Sequence, residues 1–127
     1  MSRKILIMLA SLAILAALSV AEQLIVHRVT QSALAQTQSI LGDIRTRDFV
    51  SANKKAHALD QAWDKQASRL EVLVDHRSTD EVRYALSRLL AALESEDRAA
   101  ALIYAGELEG GIEHVYERQE LSLQNIL

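Results

Sequence analysis

The side chains able to do chemistry in this chain are its four histidines and the acids beside them. His57 stands three residues before Asp60, His114 three before Glu117, and Asp75 directly precedes His76. A di-metal site in a helical bundle needs Glu-x-x-His on two helices and further inward Glu residues. The chain contains no Glu-x-x-His. His57 and His114 each fall one position outside an apolar stripe, so both read as solvated positions. His76 falls in a turn between two long helices, where its imidazole would serve the last carbonyls of the preceding helix and Asp75 would orient it. A carboxylate beside a histidine has the form of an acid–base pair, yet no recognisable Ser, Thr or Lys nucleophile motif accompanies it. Capping is the expected role.

Other chemistries find less support. With no cysteine there is no thiol nucleophile, thiolate metal site or disulfide. The glycines form no phosphate loop, since no strand precedes them and no Gly-Lys-Ser/Thr follows. Glu94, Glu96 and Asp97 lack the length and ligand order of a calcium loop. No enzyme activity, cofactor or metal is expected.

Those residues must be carried on helices. The chain has no proline and four glycines, and its apolar half is mostly Ala and Leu. Such side chains lose little freedom in a helix. From Ile5 to Ala21 every residue is apolar except Ser11 and Ser19. That run covers roughly 25 Å and reaches a full span when continued to Val26, with Glu22 and Gln23 at headgroup level. Arg3 and Lys4 precede it, and the positive-inside bias puts the N-terminus in the cytoplasm and the body outside. Ser19-Val20-Ala21 also has the small-x-small form cut by signal peptidases, which would remove residues 1–21 and release the body. No helix breaker precedes Ala21 and the helical pattern continues at once, which favours an uncleaved anchor. The expected division is a transmembrane segment over 1–26 and an extracytoplasmic domain over 27–127.

The 14 Lys and Arg include Arg3 and Lys4, so 12 of them and all 17 acids follow the apolar run, a net of −5. A body of that sign lacks the basic footprint of nucleic-acid binding.

Apolar residues then recur three and four apart, the signature of helices burying one face. The first stripe is Val26, Val29, Ala33, Thr37, Ile40 and Ile44, stopping between Gly42 and Arg47. The second is Phe49, Ala52, Ala56, Leu59, Trp63, Gln66, Leu70 and Leu73, with Asp48 as its cap. Trp63 lies on that stripe, which makes it core. Ser78 to Glu81 has the capping-box form, and a third helix follows on Val82, Leu86, Leu89 and Leu93, widened by Ala85 and Leu90. After Ser95-Glu96-Asp97 a fourth carries Ala101, Ala105, Leu108, Ile112 and Val115. Gly106 and Gly110, one turn apart, suit a close helix approach; alternatively Gly110-Gly111 forms a kink. Leu121 and Leu123 alternate with Ser122 and Gln124, so the tail reads as extended across the bundle. The fold expected is all-α, an anchor helix continuing into an antiparallel bundle of about four helices, with no internal repeat.

The anchor, the helix bearing Ala56 and Trp63, the Asp75-His76 turn, the helical hairpin and the ending Asn125-Ile126-Leu127 together resemble a family of small bacterial proteins known only as a domain of unknown function. The resemblance implies one membrane helix followed by a helical domain, and it implies no activity. The expected role is binding or scaffolding, with a second copy or a membrane protein as partner. The alternative is a sensor of a small ligand or metal using the four histidines.

Overall fold

The computed structural model describes residues 2–71 and 75–126, with side chains through Arg118. Four helices follow one another: α1 (Arg3–Arg45), α2 (Phe49–Leu70), α3 (His76–Glu94) and α4 (Arg98–Ile126). No strand occurs among the described residues. α1 packs on α2 and α4, and α3 packs on the same two helices, so the bundle closes as a ring of antiparallel neighbours.

The stripes read from the sequence form the core. Val26, Ala33, Ile40 and Ile44 of α1 meet Ala52, Ala56, Leu59, Trp63 and Leu70 of α2. Val82, Leu86, Leu89 and Leu93 of α3 and Ala101, Ala105, Leu108, Ile112 and Val115 of α4 complete it. On α2 the stripe shifts by one position at its end. Ala67 is buried where Gln66 was expected, because the 3.6-residue turn drifts off a strict three-four spacing. Leu73 lies outside the described residues.

An internal repeat is present, contrary to expectation. α1 ends at Arg45 and α3 at Glu94, while α2 begins at Phe49 and α4 at Arg98, each pair offset by 49 residues. The corners match atom for atom. Thr46 and Ser95 cap the outgoing helices, Arg47 and Glu96 take positive φ of 62° and 54°, and Asp48 and Asp97 accept from the amides of Ser51 and Ala100, both at 3.1 Å. His27-Arg28-Val29-Thr30 aligns with His76-Arg77-Ser78-Thr79 at the same offset. Few of the other aligned residues are identical, so the repeat lies in burial and geometry more than in letters. The two halves differ where α1 continues toward Arg3 as an exposed apolar span.

Three further expectations are corrected. α3 starts at His76, capped by Asp75, whose Oδ1 accepts from the Arg77 amide at 3.2 Å. Ser78 is therefore inside the helix, and the capping box does not form. α4 runs as one helix through Gly110-Gly111. A methyl group on Gly106 or Gly110 would meet nothing within 4 Å, whereas one on Gly111 would lie 3.5 Å from Val82 Cγ2. The close approach is at Gly111. Finally, the backbone is helical through Ile126 and the tail is not extended. No glycine or proline follows Gly111, so nothing stops the helix.

Candidate functional site

Of the residues singled out from the sequence, Trp63, Asp75 and His76 come together at the corner between α2 and α3. Trp63 is buried, and its Nε1 donates to the main-chain oxygen of Thr79 at 3.3 Å. Thr79, itself buried, donates Oγ1 to the carbonyl of His76 at 2.9 Å. Asp75 does double duty: besides capping α3 it faces Arg118 of α4, with Oδ2 and Nη1 3.6 Å apart. Arg118 also donates to Ser78 Oγ at 3.0 Å. Sequence reasoning overlooked Arg118 and gave Ser78 only a cap's role, since 40 residues separate the two and no motif links them.

Among the described residues the His76 side chain makes no hydrogen bond to a carbonyl of α2. Its Nδ1 lies 3.6 Å from Glu71 Oε2 and its side chain is largely exposed. Glu71 in turn is 3.7 Å from Arg83, which also stands 3.3 Å from Asp64 and 3.6 Å from Asp80. The Asp64 contact is an ion pair off the hydrogen-bonding direction, for Arg83 Nε has no aligned acceptor. Exposed pairs of this kind contribute about 1 kcal/mol or less each. The corner joins α2, α3 and α4. Its carboxylates are engaged in capping and pairing: Asp75 with the Arg77 amide and Arg118, Glu71 with His76 and Arg83.

The four histidines do not converge. His27 stacks at a tilt on Tyr116, ring centres 5.4 Å apart, His114 faces Glu81 at 3.9 Å, and His57 is exposed on α2. Among the described residues no three His, Cys, Asp or Glu side chains are grouped to hold a metal ion. Between α3 and α4 runs a shallow groove of about 470 Å³, floored by Gly110 and Gly111 and flanked by Tyr84, Arg88–Glu107 and Glu81–His114. Neither Asp75 nor His76 lines it. The side chains of Asn125 and Ile126, and Leu127 as a whole, lie outside the described residues.

At the opposite end Lys55 bridges Asp43 and Ser39, each at 2.8 Å. The Lys55 ammonium holds the Asp43 carboxyl below its ordinary value, against a smaller upward push from burial.

A model of the family described as Domain of unknown function (DUF4363) matches residues 20–126. The chain belongs to that family. The match takes in the whole bundle, including Trp63, the Asp75-His76 corner and the helical tail, and begins near the end of the apolar span. It agrees with the resemblance seen in the sequence. No curated protein and no solved structure matches the chain.

Proposed function

We propose that this chain is a membrane-anchored extracytoplasmic module that works by binding or scaffolding and has no catalytic centre. The observation that carries the reading is the continuity of α1. One helix of 43 residues includes an apolar span in which every residue but Ser19 is exposed and, from Val26, a face buried in the bundle. A helix long and apolar enough to cross a membrane serves equally as a signal sequence. Two features favour the anchor. Ala21 sits inside unbroken helix, where peptidase sites are extended, and Arg3 and Lys4 supply the positive cytoplasmic flank. A helix shared by membrane and bundle would hold the body at a set height and tilt, which suits presenting a surface to a second copy or a neighbouring membrane protein.

The test is the intact mass of the native protein from membrane and soluble fractions, followed by cross-linking in the membrane. A mass that includes Met1 to Ala21, found only in membranes, with cross-links to a second copy or to a neighbouring membrane protein, is expected. A soluble species beginning at Glu22, or a body that stays monomeric and captures nothing from a membrane extract, would overturn the proposal.

A further inference from the structure

α4 reaches past the bundle along the apolar span. Three contacts set the register of α4 against α1: Arg98 Nη2 donates to the Arg45 carbonyl at 3.5 Å, Gln38 Nε2 donates to Glu109 at 2.7 Å, and His27 stacks on Tyr116. The helices are antiparallel, so each residue gained by α4 beyond Tyr116 comes level with one residue earlier on α1. Ile126 lies ten residues beyond Tyr116, a rise of about 15 Å. Counting back from His27 brings it level with Ala17, and counting back from Gln38 brings it level with Ala21. Both positions belong to the apolar span.

A second observation agrees. From Ser2 to Ile25 every residue is exposed except Ser19 and Glu22, which are half-buried. They continue the face of Val26, Val29 and Ala33 that α1 turns toward the bundle. The covered face thus extends into the span, to the depth that α4 reaches. The composition of α4 changes at the same level. After Glu120 the residues Leu121 to Leu127 carry no charge. At the same end of this acidic body stand the exposed Arg28, Arg69 and Arg77; of the acids there, Glu71 and Asp75 are engaged by His76, Arg83 and Arg118, while Glu22, Glu117 and Glu120 fall at the level where the apolar span begins.

We infer that the last two turns of α4 enter the outer-leaflet interface of the bilayer beside the anchor, as a second membrane contact with Arg28, Arg69 and Arg77 at the lipid phosphates. With Glu22 at headgroup level, the backbone at Ile126 sits up to about 8 Å below it, the depth at which amphipathic helices lie in the interface. This rests on the anchored reading above. A helix held at two points resists rotation about its own axis, so the bundle would present one fixed side to the plane of the membrane.

The chain has no cysteine, which makes single-site labelling clean. Full-length Leu123→Cys, Ser122→Cys, Ile14→Cys and Ile103→Cys variants, each carrying an environment-sensitive fluorophore, are placed in vesicles of phosphatidylcholine and phosphatidylglycerol. Quenchers are attached to the lipids at shallow or deep positions, or dissolved in the buffer. The expected result is loss of emission at position 123 or 122 to the shallow lipid quencher, at 14 to the deep one, and at 103 to the buffer quencher alone. If 14 is quenched from the lipid while 122 and 123 behave as 103 does, the second contact is wrong and the anchor stands. If 122 and 123 are shielded from lipid and buffer alike, they are packed on protein, and the inference fails. If 14 is not reached from the lipid, the anchored reading has failed and this one with it.

Discussion

The Trp63 indole and the Thr79 carbonyl meet at 3.3 Å, tying the middle of α2 to the first turn of α3. Trp63 is the largest fully buried side chain and its polar edge is satisfied by main chain, so it acts as core and as a tie between helices.

Replacing it separates the two contributions. Trp63→Ala should cost about 3–5 kcal/mol from lost burial and the cavity left behind. Trp63→Phe keeps most of the apolar volume and should cost about 1–2 kcal/mol, mainly through the missing hydrogen bond. Urea unfolding of the full chain in detergent, followed by helical circular dichroism, measures both. Equal losses would mean the Nε1 bond, not the packing, matters.

The two corners invite a matched experiment. Arg47 and Glu96 hold positive φ, a region that disfavours side chains and suits glycine. Arg47→Gly and Glu96→Gly should each stabilise the bundle, by about 0.5–1 kcal/mol after the entropy cost of glycine in the unfolded chain. Melting temperatures of the two single variants should rise alike. Opposite signs would show that the corners are not equivalent despite their shared hydrogen bonds.

Gly106 and Gly111 should behave differently. Gly106→Ala meets open space in mid-helix and should stabilise by up to about 1 kcal/mol. A leucine at Gly106 should be tolerated, whereas Gly111→Leu must displace Val82 and should cost about 1–3 kcal/mol. Thermal melts of the three variants decide it.

The Asp43–Lys55 pair makes stability depend on acidity. Asp43 has a carboxyl pKa below its ordinary 3.8, so the folded state binds its proton less readily than the unfolded state. The pair's contribution is therefore complete above that ordinary value and disappears as pH falls through the lowered one. Asp43→Asn should be less stable than the parent at neutral pH, and the gap should close under strong acid. Unfolding curves at several pH values test the trend, and a gap that widened in acid would contradict it.

Much of this molecule is legible in its letters. The stripes from Val26 to Ile44, Ala52 to Leu70, Val82 to Leu93 and Ala101 to Val115 are apolar every three or four residues, because a helix in water must bury one face. Asp48 declares a helix start by its own chemistry, since a short carboxylate serves free amides within its own turn. The surface positions of His57 and His114 follow from the same periodicity. Membership of the family was likewise visible, in the order of Trp63, His76 and the Asn125-Ile126-Leu127 ending.

The rest was decided by contacts between distant parts of the chain. Asp75 and Ser78 both carry a cap's chemistry, and Asp75 is the one used: Ser78 is buried in α3, where Arg118 from α4 reaches it. The repeat stayed hidden because equivalent positions share burial and backbone geometry while their side chains differ, as Trp63 and Ile112 do. The tail's alternation of Leu with Ser and Gln suggested extended chain, and the helix continues instead through Ile126. Local pattern therefore determined which residues are helical and which face is buried, since both depend on neighbours within a turn or two. Which carboxylate caps, where helices touch closely and how far α4 runs along α1 depend on partners tens of residues away, and only the packed bundle brings those together.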